Sequence, residues 1–331
     1  MQMKVLVTGG AGCIGSDLCE TLVARGHSVI ALDNLSSGTR EHLRSILDAP
    51  GFEFVEGDLL DISQVEKVLE KVDFVYHLAA NPDVKFTAGD VTDKDLRQNI
   101  LCTYNVLEAM RRRGVAKLAF SSTSAVYGIA PEMPIREDSF FPKPVSLYGA
   151  TKLACEALIS AFQNLFGMQA WIFRFANIVG PKVRSRGRTV IGDFVHRLQQ
   201  DPTKLRILGN GLQAKSYLLS EECVSGMLFA IEHAKEPLNI FNLGCSDSYS
   251  VNQIADTVVS SMGLRDVGYE YTGGEVGWPG DVPRFVLDVS RINQLGWQAR
   301  RNSAEAVALA VRTTIDEMCG SPVSRETPCR Q

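Results

Sequence analysis

The chain has 331 residues, which is enough for one large α/β domain or for a large and a small one. Its apolar content of 45% and its formal net charge of −4 are typical of an ordinary globular protein and provide no basic surface for nucleic acid. There is no run of 18 apolar residues, the chain enters a predicted strand at once, and its eight cysteines show no metal-binding spacing. We therefore expect a cytoplasmic protein with no membrane partner, no signal peptide and no metal site.

A short apolar run from Lys4 to Thr8 is predicted to form a buried strand, followed by a glycine-rich turn and a helix over Ser16 to Arg25. The glycines at positions 9, 10, 12 and 15 fit both G-x-G-x-x-G and G-x-x-G-x-x-G. They allow a tight turn and let a pyrophosphate approach the N–H groups at the start of the helix. A second predicted strand, Ser28 to Leu32, ends in Asp33, whose carboxylate suits a ribose hydroxyl pair and repels a 2′-phosphate. The pattern predicts a dinucleotide site that prefers NAD over NADP.

Predicted strands and helices alternate through the next part of the chain. We expect strands over Phe52–Val55, Phe74–Ala80, Lys117–Phe120 and Trp171–Phe175, and helices around Glu41–Leu47 and over Ile62–Val72, Asp95–Arg113 and Ser146–Gly167. Asp58 follows the third strand, where it could meet the adenine amine or cap the next helix. Such alternation predicts an α/β protein with a Rossmann-type doubly wound parallel sheet.

The pattern changes after Pro181, so we place a domain boundary near residue 180. Domain 1–180 is expected to be the Rossmann domain, and 181–319 mainly a smaller C-terminal α/β substrate domain. A segment near 220–245 is expected to return to the first domain, with Leu238–Leu243 as an extra strand of the main sheet. Residues 320–331 have no apolar period and are expected to be a disordered tail.

Three side chains suggest the chemistry. Tyr148 and Lys152 are four residues apart on a predicted helix and therefore project from one face. A phenol is a poor base at neutral pH, with a pKa of about 10, but a nearby ammonium and a positive nicotinamide ring favour the phenolate. Thr123 or Ser124, at a predicted strand end, can hold the substrate oxygen and share its proton. This set predicts removal of a proton from an alcohol while a hydride leaves its carbon.

The sequence resembles the extended short-chain dehydrogenases/reductases, in the nucleotide-sugar epimerase/dehydratase group. The resemblance covers nearly the whole chain, from residue 5 to about residue 298. It is carried by TGGAGCIGS (8–16), LDNLSSG (32–38), GDLLD (57–61), HLAANPDV (77–84), SSTSAVYG (121–128), YGATK (148–152), RFANIVGP (174–181) and PGDVPR (279–284).

The resemblance implies a fold, an NAD cofactor, a UDP-sugar substrate and a set of site residues. Thr123, Tyr148 and Lys152 would be the catalytic residues. NAD contacts are expected from Gly9, Gly12, Cys13, Ile14, Gly15, Asp33, Asn34, Ser37, Gly38, Asp58, Leu59, Leu78, Ala79, Ala80, Asn99, Ser121, Ser122, Tyr148, Lys152 and Phe175. Substrate contacts are expected from Lys85, Thr123, Ser124, Asn177, Val190, Lys215, Tyr217 and Asp281. A homodimer is implied too, with helices 95–113 and 146–167 of each subunit forming a four-helix bundle.

The residues after Thr123 select among the reactions of the group. Resembling 4,6-dehydratases carry an Asp-Glu pair there, decarboxylating members keep the Glu and 3,5-epimerising members place a Cys. Here the pair is Ser124-Ala125, with no titratable group. Without such a group, the remaining residues can oxidise an alcohol to a ketone and return the hydride. This favours C4 epimerisation of a UDP-hexose of the glucose/galactose type.

This sequence departs from the pattern of the group at two phosphate-binding positions, and the identity of the substrate's sugar stays open. The group commonly has phosphate-binding arginines at the positions of Lys215 and Trp278, and lysine lacks the bidentate fork. We hypothesise that the missing charge comes from a basic loop, whose arginines are Arg184, Arg186 and Arg188. Phe285 stands where bulk limits an N-acetyl group in the family, which disfavours UDP-N-acetylglucosamine. UDP-glucuronate stays open because the basic loop or Lys85 could receive its carboxylate. Another NAD-dependent nucleotide-sugar oxidoreductase, or a non-catalytic NAD sensor, is a further alternative.

Overall fold

A parallel seven-stranded sheet lies at the centre of the protein. The computed structural model describes residues 2–85, 89, 91–182 and 189–319. The described strands are β1 (Lys4–Thr8), β2 (Ser28–Asp33), β3 (Phe52–Glu56), β4 (Phe74–His77), β5 (Lys117–Thr123), β6 (Gln169–Phe175), β7 (Asn177–Val179), β8 (Lys204–Ile207), β9 (Ala214–Lys215), β10 (Tyr217–Leu219), β11 (Leu238–Leu243), β12 (Tyr249–Ser250), β13 (Gly268–Tyr271) and β14 (Arg284–Phe285). The main sheet has the order β11-β6-β5-β4-β1-β2-β3, with every neighbouring pair parallel. The predicted fold class and the return of residues 238–243 are confirmed.

Helices cover both faces of the main sheet. The described α-helices are α1 (Cys13–Ala24), α2 (Ile62–Val68), α3 (Cys102–Arg113), α4 (Leu147–Phe166), α5 (Val190–Gln200), α6 (Ser220–His233), α7 (Val251–Ser261), α8 (Ser290–Leu295) and α9 (Ser303–Cys319). Alternate residues of β1 point to opposite faces, so Val5 and Val7 pack in a core cluster with α1 and α6, whereas Leu6 packs in another with α2, α3 and α4. Both faces of the main sheet are therefore buried under helices, as is usual for a parallel sheet.

A third apolar cluster lies outside the main sheet. It is built from α5, α7, α9 and strand β8, which pairs with β13. Two small sheets, β10-β7 and β12-β9-β14, complete this part of the protein. The division near residue 180 stays a prediction that these separate clusters support. The chain also returns a second time, because Leu287 and Ile292 pack in the first cluster with the main sheet.

Several elements are shorter than the sequence suggested. The helix expected around 41–47 is a 3₁₀ turn over Arg40–Leu43, and the residues that follow it form turns. The helix that begins at Ile62 ends at Val68, and Lys71 follows with a φ of 59°, which a right-handed helix cannot contain. Sheet pairing of β4 ends at His77 instead of Ala80, since the next residues turn toward the glycine loop.

The long helix expected over residues 95–113 has two parts. Residues Leu96–Leu101 form a π-helix, and the α-helical part is α3. A π-helical turn carries one extra residue per turn and occurs frequently at functional sites. It places the Asn99 side chain inward, where it is 2% exposed.

Two predictions fall outside the described residues. These are the disordered tail 320–331 and the basic loop with Arg184, Arg186 and Arg188. Within the described part of the chain, no helix is both long and apolar enough to cross a bilayer.

Candidate active site

One cleft of about 1210 Å³ runs from the carboxyl ends of β1, β2 and β4 to the small sheets of the second part. This is where a doubly wound sheet binds its ligands. All the residues that the sequence assigned to NAD or to the substrate line the cleft, except Gly38 and Asn99. The predicted site residues are therefore brought together by the fold.

The glycine turn fits tightly against its surroundings. Gly9 has a φ of 69°, and a Cβ on it would lie 2.7 Å from the Ala79 backbone nitrogen. A Cβ on Gly15 would lie 2.0 Å from the Gly9 oxygen, so α1 approaches the turn as closely as it can. Gly38 packs on Ala11 instead of lining the cleft, and a Cβ there would lie 2.7 Å from the Ala11 backbone. The glycines are thus required by close backbone contacts.

The start of α1 can hold an anion. Its N-cap is Gly12, and no side chain of the described residues caps it. The first N–H groups of a helix have no partner within the helix, and they favour a negative group. A pyrophosphate fits this uncapped end, so the turn meets the requirement of the predicted dinucleotide.

Asp33 is fixed at the end of β2. Its carboxylate accepts hydrogen bonds from the Ala11 N–H at 3.0 Å and from the Leu35 N–H at 2.8 Å. Burial raises the pKa of Asp33, and the two backbone bonds oppose that shift. Each carboxylate oxygen keeps acceptor capacity for a ribose hydroxyl pair.

Asp58 lines the same end of the cleft. Its carboxylate accepts from the Leu60 N–H at 2.9 Å and from Asn34 Nδ2 at 3.4 Å. The alternative that Asp58 caps the next helix is wrong, because Asp61 is the N-cap of α2. The position of Asp58 in the cleft agrees with the other interpretation, in which it meets adenine.

Tyr148 and Lys152 lie on the first turns of α4, where Ser146 caps the helix by accepting from the Gly149 N–H at 3.1 Å. Lys152 is 2% exposed, and its ammonium lies 4.2 Å from the centre of the Phe120 ring. Burial lowers the pKa of Lys152 to about 8. The helix thus holds a buried amine beside the phenol.

In the protein alone, burial disfavours ionisation of the Tyr148 phenol. Burial raises the pKa of Tyr148 to about 12, and a hydrogen bond with the Thr123 side chain opposes that shift. The sequence-based expectation of a phenolate therefore needs a further positive charge, which bound oxidised NAD would supply. Thr123 itself caps a 3₁₀ turn, its hydroxyl accepting from the Ala125 N–H at 3.2 Å.

A buried ion pair lies behind these residues and was missed from the sequence. Glu156 accepts a hydrogen bond from the Ser122 hydroxyl and pairs with Arg174 on β6 at 2.7 Å. Arg174 also donates to the Tyr127 hydroxyl at 3.0 Å. Glu156 is four residues after Lys152 on the same helix and so on the same face, but the sequence does not predict that Arg174 contacts it.

Asn99 organises the π-helix instead of lining the cleft. Its Oδ1 accepts from the Asn81 N–H at 2.9 Å, and its Nδ2 donates to the Thr151 hydroxyl at 2.9 Å. Asn81 also donates to the Asp95 carboxylate at 2.8 Å. Asn99 therefore connects the loop after β4 with α4, one residue before Lys152.

The far end of the cleft carries the predicted substrate residues. Lys215 Nζ lies 2.6 Å from Asp281 Oδ1, and this ion pair is largely buried. Asn177 and Tyr217 are direct partners in the β7–β10 pair. Burial raises the pKa of Tyr217 to about 12, and a hydrogen bond with the Asn177 side chain opposes that shift. Phe285 is 5% exposed and lines the same end.

The doubly wound sheet, the glycine turn at an uncapped helix and the Tyr-x-x-x-Lys pair together define a dinucleotide-binding protein of the short-chain dehydrogenase/reductase class. The model of the NAD dependent epimerase/dehydratase family matches residues 5–244. The chain belongs to this family, and its cofactor is NAD.

Three relatives illustrate the likeness. The UDP-glucose 4-epimerase of Mycolicibacterium smegmatis is 33% identical, over 93% of this chain and 97% of that protein. The structure of Thermus thermophilus UDP-glucose 4-epimerase in complex with NAD is 31% identical, with a TM-score of 0.82 over 94% of this chain and 99% of that one. The structure of UDP-glucuronic acid 4-epimerase of Bacillus cereus, in complex with UDP-glucuronic acid and NAD, is 26% identical in sequence. Its TM-score is 0.86, over 95% of this chain and 100% of that one. These relatives act on different sugars.

Proposed function

We propose that the protein is an NAD-dependent 4-epimerase of a UDP-hexose, of the glucose/galactose type, acting through a 4-keto intermediate. The observation that carries the proposal is the composition of the turn after Thr123. Ser124 and Ala125 stand where an elimination would need an acid and a base, whereas the alcohol-oxidising pair Tyr148 and Lys152 is complete.

Thr123, Tyr148 and Lys152 are the proposed catalytic residues. When bound, NAD supplies a reversible hydride acceptor. Ionised Tyr148 takes the proton from the 4-hydroxyl as the C4 hydrogen leaves as hydride, and Thr123 holds the same oxygen. The buried Lys152 ammonium stabilises the phenolate. A ketone that rotates in the cleft would present its other face to the returning hydride, and Tyr148 would give the proton back to its oxygen, so the overall reaction would consume no cofactor.

We assign the cofactor to one end of the cleft and the sugar nucleotide to the other. We propose that the uncapped start of α1 holds the pyrophosphate of NAD and that Asp33 accepts from a ribose. Residues 1–180 form the proposed NAD-binding domain. Residues 181–319, without the returning segments, form the proposed sugar-nucleotide domain, with Asn177 and Tyr217 at its entrance.

Two observations support a substrate of the glucose/galactose type. The M. smegmatis relative is a UDP-glucose 4-epimerase at 33% identity. The buried Phe285 fills part of the substrate end and leaves less room for an N-acetyl group at C2. A second candidate, UDP-glucuronate, is favoured by the fold likeness to the B. cereus enzyme and by the ammonium of Lys85, which lines the cleft and could receive a carboxylate.

The test uses purified protein without added NAD. It is incubated separately with UDP-glucose, UDP-galactose, UDP-glucuronate and UDP-N-acetylglucosamine, and the products are followed by proton NMR. Interconversion of UDP-glucose and UDP-galactose is expected, with no NADH formed. Turnover of UDP-glucuronate alone would make the second candidate correct. If nothing reacted until free NAD was supplied, and NADH accumulated, the protein would be a dehydrogenase.

We also propose a homodimer through α3 and α4. Tyr104 on α3 and Phe162 on α4 have ring centres 6.3 Å apart, and Phe166 follows at 5.2 Å from Phe162. The outer rings are open to solvent, with Tyr104 43% and Phe166 48% exposed, and Leu165 beside them is 70% exposed. An apolar patch on two adjacent helices is a surface that a second copy would cover.

A further inference from the structure

Trp278 lies in the wall of the cleft with an unused hydrogen-bond donor. Its indole Nε1 is buried, and no acceptor in the described part of the chain contacts it. Burying an N–H without an acceptor costs free energy, so such groups are rare in folded proteins. An unpaired donor in the wall of a ligand cleft indicates that the ligand supplies the acceptor.

Two lysines approach the same indole. Lys85 Nζ lies 4.6 Å and Lys215 Nζ 5.3 Å from the ring centre. The two come from opposite sides of the cleft, Lys85 from the loop after β4 and Lys215 from β9. Each contact is a cation–π interaction, which places the ammonium groups beside the ring. The indole therefore gathers two positive charges around one donor.

Only one of these charges is compensated within the described residues. Lys215 forms the ion pair with Asp281, whose side chain is 3% exposed and whose second oxygen accepts from the Gly277 N–H at 3.1 Å. Lys85 forms no ion pair with a carboxylate of the described chain; its recorded contact is the Trp278 ring. As far as the described residues go, one uncompensated ammonium and one unused N–H donor thus lie at the same indole in the wall of the cleft, which suits an oxyanion.

We infer that Trp278 Nε1 and Lys85 Nζ together bind an oxygen of the substrate's diphosphate, in place of the arginine pair that resembling proteins use. This deepens the proposed function and rests on it, since a UDP-hexose carries its charge on the diphosphate. Lys85, and not the neutralised Lys215, supplies the charge. Trp278 supplies the directed hydrogen bond and the ring that holds Lys85 in place.

The test measures binding instead of turnover, on the NAD-loaded protein, by calorimetry with UDP and with uridine as probes. Trp278→Phe keeps an aromatic face for the lysines but removes the N–H, and Lys85→Met keeps the length of the side chain but removes its charge. We expect each change to weaken UDP binding about tenfold and to leave uridine binding unchanged. The Lys85→Met variant should also show a smaller dependence of UDP affinity on salt.

Matched controls lie away from the cleft. Trp297 donates its indole N–H to the Ser225 hydroxyl at 3.2 Å, and Lys204 is a half-exposed lysine near Asp201. Trp297→Phe and Lys204→Met should bind UDP as the unchanged protein does. UDP affinity that is unaltered in Trp278→Phe would overturn the inference. With UDP-glucuronate as a third probe, a loss of affinity confined to that ligand would also overturn it, because the oxyanion would then be the sugar carboxylate. A protein that binds UDP as expected but epimerises no sugar would overturn the proposed function alone.

Discussion

Arg174 and Glu156 form a two-pronged ion pair in which each side chain is only 6% exposed. Arg174 Nη2 lies 2.7 Å and Nε 3.0 Å from the two oxygens of Glu156. The pair joins β6 to α4 one helical turn beyond Lys152, and the Ser122 hydroxyl on β5 donates to the same carboxylate. The two elements that carry the candidate catalytic residues, β5 and α4, are therefore held together with β6 at one buried charge pair.

Removing one partner of this pair should destabilise the fold strongly. Glu156→Gln leaves the Arg174 guanidinium buried without its counter-charge, so we expect the free energy of unfolding to fall by about 3–5 kcal/mol. Urea denaturation measures the change. Glu232→Gln is the control, because its pair with Arg25 is about half exposed and should contribute less than about 1 kcal/mol. Equal effects of the two substitutions would contradict a structural role for the buried pair.

Tyr148→Phe should abolish most of the turnover while the fold and the bound NAD remain. The variant lacks only the hydroxyl that exchanges the substrate proton, and general acid–base catalysis contributes roughly 10²–10⁴-fold to a rate. The measurements are kcat by a coupled assay and the NAD content of the purified protein. Tyr269→Phe removes a hydroxyl that bonds Asp256 at 2.7 Å outside the cleft, and its kcat should be unchanged. A Tyr148→Phe enzyme with full activity would rule out the proposed proton path.

Lys152 should make the stability depend on pH. Burial lowers its pKa from the ordinary 10.5 to about 8 in the folded protein, so the unfolded chain binds a proton that the folded protein lacks between those values. The free energy of unfolding therefore rises with pH from about 8 to 10.5, and burial of the charged form costs the fold about 3 kcal/mol below pH 8.

The Lys152→Met variant isolates this effect. Unfolding of cofactor-free protein, measured from about pH 7 to pH 10.5, should show the unchanged chain gaining stability relative to the variant as pH rises. Taking the difference cancels the other titrating groups. A difference that stayed constant with pH would show that the Lys152 amine is not desolvated.

The proposed dimer surface can be tested with one charge. Phe166→Glu places a carboxylate in the aromatic patch of α3 and α4, so a dimer formed there should dissociate into monomers in sedimentation-velocity experiments. Leu212→Glu is the control, because Leu212 is also apolar and 53% exposed but lies far along the chain from both helices. Persistence of the dimer in the Phe166→Glu variant would place the interface elsewhere.

The sequence was sufficient for the sheet and for the place of the cleft, since both follow from local pattern. Continuous apolar runs such as Val5–Val7 predict strands buried on both faces, and the glycines and Asp33 lie at their ends. The features that were missed depend on contacts between distant segments. Arg174 is 18 residues from Glu156, and nothing near either residue predicts the pair. The π-helix is likewise imposed by the bonds that Asn99 makes to two other elements.

The return of β11 to the main sheet has a consequence for dissection of the protein. Residues 238–243 pair with β6 along its length, although about 60 residues, among them α6, come between the two strands in sequence. A fragment that ends at residue 180 would leave the backbone of β6 as an open, apolar edge, which is a template for intermolecular strand addition. Such a fragment should aggregate on expression, whereas a fragment that keeps α6 and β11 and replaces only residues 181–219 with a short linker should recover monodisperse behaviour. The two proposed domains could therefore not be separated by a single cut in the gene.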